Sequence, residues 1–384
     1  MHTNPFSDEE LATRLNKLRS EMAARELDIA VLSQPESVFY LIGLDHWGYF
    51  APTHLIVPAA GDLVLVTRQM ERVTIENQVR NARFAGHSDS ESAASKLVGE
   101  LVALGIAGKR MGFEVETSGF TYQAGQELFE QLGAAEWVNI SGLVDTLRLV
   151  KSPEEQDLMR AAAKAADAGT EAAIAAIHDG AREADVAAEC LAAMTRAGGK
   201  PPGFGPFIRP EARIAEEHTS WGDGVYRAGE KVMLEVAGCV SRYNAPMGRF
   251  IHLGHIRDED AEMAEISKRA FRGILDGLKP GVRARDVYDA WQAVVDAAGM
   301  PEYRRHHCGY LIGIGFPPSW TGGNKVTGLR HDSDLEIKEG MTFHAMSWFT
   351  ETGRGDYFVS NCVLLGPDGA EVLTNTPMGP TVVA

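Results

Sequence analysis

The sequence predicts a mixed α/β (α+β) protein of two domains: an N-terminal α/β domain over residues 1–148, and a second over 152–384 built from two related halves. Three observations lead there. Short apolar strand-like runs alternate with helical periodicities as far as Ile140, a helix-start signal at Ser152 opens a long Ala-rich segment, and a string beyond it recurs at a constant offset. At 384 residues the chain also exceeds one ordinary core, since domains run to about 100–200 residues.

Ser7 and Glu10 have the spacing of a capping box, and Leu11, Leu15, Leu18 and Met22 follow at helical intervals, so the first domain opens on an amphipathic helix. Ile29–Leu32 reads as a strand, and His54–Val57 with Leu63–Val66 as a hairpin turned at Gly61-Asp62. Next come a helix near Glu71–Val79, a strand at Ala82–Ala85, a helix at Glu91–Leu104 and a strand at Met111–Val115. A helix near Gln123–Leu132 and a strand at Trp137–Ile140 complete a compact α/β domain.

Ser152 can cap a helix, Pro153 suits its first turn and Glu155 closes another S-x-x-E box, so a long helix runs from there to about Ile177. Beyond it, Gly180-Ala181-Arg182-Glu183-Ala184-Asp185-Val186 matches Gly281-Val282-Arg283-Ala284-Arg285-Asp286-Val287, an offset of 101 residues (180 to 281). Ala192, Ala197 and Gly198 match Ala293, Ala298 and Gly299 at the same offset. Shared helix endings make duplication the reading: two halves, each a pair of helices followed by strands, with a pocket between them.

The formal charge of −16 argues against nucleic acid or an anionic membrane as partner, because both need clustered Lys and Arg. Cys190, Cys239, Cys308 and Cys362 are far apart and show no C-x-x-C spacing, which suggests neither a zinc ribbon nor a disulfide framework. The opening MHTNPFSDEE has no basic or apolar leader pattern, and no apolar run approaches the ~18 residues of a membrane span. A cytoplasmic protein is the expectation.

One stretch resists a purely structural reading. Val232-Met233-Leu234-Glu235-Val236-Ala237 is an apolar strand with an acid at its centre, and an unpaired buried charge costs roughly several kcal/mol. Glu235 is either a structural acid paired with Arg249 or Arg242, or a functional one. Upstream stands His218, before the turn Ser220-Trp221-Gly222. His306-His307-Cys308 invites a metal reading, but adjacent strand residues point to opposite faces, so the three are expected to be structural or supporting residues.

The strings Gly309-Tyr310-Leu311-Ile312-Gly313 and Glu339-Gly340-Met341-Thr342-Phe343 sit where the pita-bread superfamily has its hallmark glycine strings. With the duplicated second domain, the chain resembles that superfamily, which includes creatinase, aminopeptidase P, prolidase and methionine aminopeptidase. The resemblance covers nearly the whole chain and implies a creatinase-type N-terminal domain followed by a pseudo-two-fold pita-bread domain.

Its metallopeptidase members hold two metals with five carboxylate and histidine ligands. At those positions this chain carries Glu235, Pro246, Tyr310, Met346 and the pair Ser360-Asn361. One good ligand and one phenol do not make a two-metal site, so neither a metal nor another cofactor is expected. Glu235-Val236-Ala237-Gly238-Cys239, Pro317-Pro318-Ser319-Trp320 and Gly340-Met341-Thr342-Phe343-His344 look most like the metal-free ectoine hydrolase branch. Creatinase resembles the chain less, because the positions of its other acids carry Pro246 and Met346.

The resemblance implies a metal-independent hydrolase that cleaves a C–N bond of a small cyclic amidine or amide. Glu235 would act as nucleophile or general base, and His218 as the acid that protonates the departing nitrogen. Trp47, Trp221, Tyr243, Tyr310, Trp320 and His344 are the expected substrate-binding residues, several of them aromatics suited to a compact zwitterion. Arg68, Arg209 and Arg249 are candidates for its carboxylate. By analogy a homodimer is expected. The alternatives are a creatinase-type amidinohydrolase, a metal-dependent Xaa-Pro peptidase, and a non-catalytic peptide-binding module of the same fold.

Overall fold

The structure is a computed structural model describing residues 4–133, 135–323 and 326–384. It divides into two compact units, Met1–Arg148 and Leu149–Ala384. Among the described residues no helix is long and apolar enough to cross a membrane.

In the first unit, β1 (Ile29–Leu32), β2 (His54–Pro58), β3 (Leu63–Arg68), β4 (Ala82–His87), β5 (Met111–Phe113) and β6 (Trp137–Asn139) form one sheet in the order β4-β3-β2-β1-β5-β6. β2 pairs antiparallel with both β1 and β3, and the outer pairings are parallel. Around the sheet lie α1 (Asp8–Ala24), α2 (Pro35–Ile42), α3 (Arg72–Gln78), α4 (Ala93–Ala103), α5 (Tyr122–Leu132) and α6 (Leu143–Leu147). Alternate residues of the sheet, among them Ile29, Val31, Ile56, Val64 and Val66, pack on Leu97 and Leu101 of α4 and Leu128 and Leu132 of α5.

The helix α2 has no counterpart in the sequence reading. All eight of its residues are buried, so it has no polar face and its run PESVFYLI shows no helical period. Its first turn is secured from outside: the Glu114 carboxylate accepts the backbone N–H groups of Ser33 and Gln34 at 3.0 and 3.1 Å and the Ser37 hydroxyl at 2.7 Å.

The second unit opens on α7 (Pro153–Ala176), whose capping box is complete: Ser152 Oγ accepts from Glu155 N, and Glu155 Oε2 accepts from Ser152 N. Then follow α8 (Glu183–Arg196), β7 (Phe207–Pro210), β8 (Lys231–Val240), β9 (Tyr243–Leu253), α9 (Asp258–Gly277), α10 (Ala284–Ala297), β10 (Gly309–Leu311), β11 (Thr342–Phe349), β12 (Tyr357–Gly366), β13 (Gly369–Val372) and β14 (Thr381–Val383). The duplication is visible in three dimensions. The helices α8 and α10 are each 14 residues long and start 101 positions apart (183 and 284). Backbone pairings match as well: Glu183 N donates to Gly224 O as Ala284 N does to Leu335 O.

The sheet order β10-β11-β12-β9-β8-β7 places the two halves side by side, with β9 and β12 at the centre and all these neighbours antiparallel. On β8 and β9, Val232, Leu234, Val236, Ile251 and Leu253 join Ala173, Val186 and Cys190 of α7 and α8 in one core. At Gly238 a side chain would overlap the backbone of Ala162 and Ala166, so α7 lies directly on the strand. The residues between, including Met233 and Glu235, point to the opposite face.

Candidate active site

That opposite face carries the site. Phe207 on β7, Glu235 on β8, Gly248 on β9, Ser360 on β12 and Met346 on β11 are successive cross-strand partners, one row over five strands. Partners in a row project from the same side of a sheet. A side chain at Gly248 would overlap the Phe358 ring, so the middle of the row has room only for glycine beneath that ring. Above it is a cavity of about 290 Å³. Glu235, Met346, Tyr310 and Phe207 form its sheet side, and Phe204, Trp320, Trp348, His218 and Glu217 enclose it. Such a volume, at the small end for ligand pockets, suits a molecule about the size of one small ring.

Burial among these groups pushes the Glu235 carboxyl up to about 8; Arg209 opposes the shift and Glu217 adds to it. Among the described residues no group donates a hydrogen bond to Glu235, and His344 Nδ1 lies 4.0 Å from its Oε1. His344 is held well below the usual histidine range by burial and by His307, so its ring is neutral. It belongs to a hydrogen-bonded chain. Trp320 Nε1–H donates to Tyr310 Oη at 2.8 Å, Tyr310 Oη lies 2.8 Å from His344 Nδ1, and His344 Nε2 lies 2.7 Å from Ser360 Oγ.

His218, Glu235, Tyr310 and Trp320 therefore meet at one cavity, with His344 directly behind Tyr310. His218 takes a left-handed backbone conformation (φ 55°), which suits a turn and aims its ring beside Phe204 and Phe207. Two expectations need correction. Tyr243 lies at the far end of the β8–β9 hairpin, fully buried, where its hydroxyl donates to Glu155 Oε1 at 2.8 Å and braces the start of α7. Trp221 is 38% exposed and does not line the cavity, because the turn after His218 carries it outward. Trp47 belongs to the first unit, where its indole is 61% exposed.

The arginines separate as well. Arg249 is the cross-strand partner of Leu234 and so faces away from Glu235. Its guanidinium donates to the carbonyls of Gly248, Ser360, Thr376 and Pro377 and to Asn361 Oδ1, making it a brace for the central strands. Arg68 belongs to the first unit and pairs with Asp89. Arg209 shares the face of Glu235, donates to Glu216 O and Met233 Sδ, and keeps its Nε–H without a partner among the described residues.

Sequence reasoning missed His306 and His307, both of which line the cavity with ring centroids 4.1 Å apart. The rule of opposite faces fails there because residues 303–307 are irregular and β10 begins only at Gly309. Burial pushes the His307 imidazole down to about 3, and its Nδ1 has no hydrogen-bond partner among the described residues. Arg305 stacks on Trp348, 4.1 Å from its ring, and lies 3.9 Å from Glu217. Ser360 was seen only as a lost ligand position; its hydroxyl holds His344.

A creatinase-type α/β unit followed by a duplicated unit whose central sheet carries the site defines a two-domain pita-bread protein. The chain belongs to metallopeptidase family M24: the family model matches residues 157–367, and that of the creatinase/prolidase N-terminal domain matches 14–150. It is a hydrolase of that family. It is 28% identical to the ectoine hydrolase of Halomonas elongata, with 97% of each chain covered. An uncharacterized hydrolase/peptidase of Sinorhizobium fredii is 27% identical, again over 97% of both. Among solved structures, the Xaa-Pro dipeptidase of Bacillus anthracis superposes with a TM-score of 0.85 at 22% identity, covering 97% of this chain and 100% of that one.

The family name implies a metal centre, and the donors present do not fit one. Of the positions matched to ligands, Glu235 supplies a carboxylate, Tyr310 a phenol already bonded to Trp320 and His344, and Met346 a thioether. Pro246, beside Ala237 on the sheet, offers no donor. Among the described residues no group of three or more His, Cys, Asp or Glu side chains could hold an ion. Hard divalent ions of hydrolytic centres need several oxygen or nitrogen ligands each.

Proposed function

We propose that the chain is a metal-independent hydrolase that opens a C–N bond of a small cyclic amidine or amide, with ectoine as the reference substrate. The observation that carries the reading is Glu235: one acid with a raised pKa, in a cavity of about 290 Å³ whose other former ligand positions hold a phenol and a thioether. The likeness to the ectoine hydrolase of Halomonas elongata supports it.

A cationic amidinium placed against Glu235 would pull its proton off, since an opposite charge at close range favours the ionised carboxylate. Substrate binding thus readies the group. The carboxylate either attacks the amidine carbon or removes a proton from the water that does, and His218 protonates the nitrogen as the C–N bond breaks. On the covalent route a water then attacks the carbon joined to Glu235 and releases the carboxylate. Either way one water is consumed and the ring opens to an amide and an amine. Glu217 lines the cavity with Arg305 3.9 Å from it, a pair of opposite charges that suits a zwitterion.

The test is to incubate purified protein with ectoine in excess EDTA and follow ring opening by ¹H NMR, with an Xaa-Pro dipeptide assayed in parallel. Ectoine opened at an unchanged rate in EDTA is the expected result. Dipeptide cleavage that EDTA abolishes and Mn²⁺ or Co²⁺ restores, with ectoine untouched, overturns it.

A further inference from the structure

Hydrogen counting along the chain behind the cavity assigns a role to Tyr310. Ser360 is fully buried, and among the described residues its hydroxyl has one hydrogen-bond partner, His344 Nε2. Two patterns are open to a neutral imidazole, which has one N–H and one lone pair. If His344 carried its proton on Nε2, it would donate to Ser360, and the Ser360 proton would be left in the core with no acceptor. A buried unsatisfied donor costs about 1–3 kcal/mol. If Ser360 O–H donates to Nε2 instead, the imidazole proton sits on Nδ1 and donates to Tyr310 Oη, 2.8 Å away. Every donor behind the phenol then has an acceptor, and the one proton left over is that of Tyr310, at the cavity rather than in the core.

The consequence falls on the phenol. Tyr310 Oη receives Trp320 Nε1–H and His344 Nδ1–H, which fills both of its acceptor sites and leaves its one proton free to turn elsewhere. The remaining direction is the cavity, which Tyr310 lines together with Glu235. We propose that Ser360 and His344 act as positioning residues that fix the imidazole tautomer, so that Tyr310 serves as a catalytic hydrogen-bond donor to the water-derived oxygen of the tetrahedral intermediate. This rests on the hydrolytic reading above. A donor fixed in advance where negative charge develops is the arrangement that lowers a barrier most cheaply, and losing one such donor costs about 10²–10³ in kcat. Accepting two hydrogen bonds also polarises the phenol and strengthens the one it gives.

Two measurements decide it. In protein labelled with ¹⁵N-histidine, the His344 resonances, assigned by their loss in His344→Asn, are expected to show a protonated Nδ1 and a bare Nε2. A proton on Nε2 overturns the proposal, and this readout needs no substrate. In turnover of ectoine, Tyr310→Phe is expected to lower kcat about a hundredfold per folded enzyme with KM little changed, while its thermal midpoint falls because Trp320 Nε1–H and His344 Nδ1–H lose their acceptor. An unchanged kcat, or a loss confined to KM, refutes the catalytic role. His344→Asn, whose amide can still donate to Tyr310, is expected to keep far more of kcat than His344→Leu; equal losses would count against positioning through the Nδ1 proton. Should the parent protein leave ectoine untouched, the functional reading fails while the tautomer still answers for the hydrogen-bond chain.

Discussion

Glu235 Oε1 lies 4.0 Å from His344 Nδ1, near enough for Coulomb coupling and too far for a hydrogen bond. The spacing is that of an ion pair, yet burial drives the acid up to about 8 and the imidazole well below its usual range. Both groups are neutral near pH 7. The carboxyl is thereby kept protonated, and the neutral imidazole bridges Tyr310 and Ser360.

Stability should report this directly. The folded pKa of Glu235, about 8, lies above its ordinary 4.5, so its contribution is fully present below pH 4.5 and is lost as pH rises through 8. Glu235→Gln, which cannot ionise, should match the parent near pH 5 and be more stable at pH 9 by roughly a few kcal/mol. Urea unfolding at pH 5, 7 and 9 measures the difference; a constant gap at all three would contradict a raised pKa.

Activity should climb with pH on the same group. For the free enzyme, kcat/KM is expected to rise through about pH 8 as Glu235 ionises. In the complex an amidinium favours the carboxylate, so the kcat profile should turn at lower pH. A kcat/KM profile flat from pH 6 to 9 would remove Glu235 as base or nucleophile.

His218 is exposed at the cavity rim and, among the described residues, makes ring contacts only with Phe204 and Phe207. His218→Ala should therefore leave the thermal midpoint almost unchanged while lowering kcat by about 10²–10⁴. Activity within about threefold of the parent would assign the proton to another donor.

Arg249 and Tyr243 test the opposite expectation. Arg249→Met abandons four backbone carbonyls and Asn361 in the core, and breaking such a buried network should cost on the order of 3–5 kcal/mol. Tyr243→Phe gives up one bond to Glu155 and should cost about 1 kcal/mol. Whatever folded enzyme survives should keep the parent KM, measured alongside denaturation; a selective rise in KM for Arg249→Met would return it to the substrate.

Much of this protein is legible in one dimension because local patterns reflect local forces. The Ser152–Glu155 box marks the start of α7, and the string repeated at 101 residues marks α8 and α10. Glu235 stands out because an acid inside an apolar strand violates the cost of burying charge. The helix α2 escaped since a segment buried on every side has no period to detect.

Composition, periodicity and motif spacing predict the two-domain organisation and the duplicated second domain, and they single out Glu235 as an acid inside an apolar strand. Only the tertiary structure decided what faces that residue. A strand's period of two says which side chains share a face and says nothing of what covers the face, so Tyr243 and Arg249 turned out to brace the scaffold while Ser360 took hold of His344. Irregular backbone before β10 brought His306 and His307 to the cavity together, where regular alternation would have parted them. The neutral state of Glu235 is likewise a property of the folded molecule, since the loss of water that raises its pKa exists only once Phe207, Tyr310, Met346 and Trp320 have closed around it.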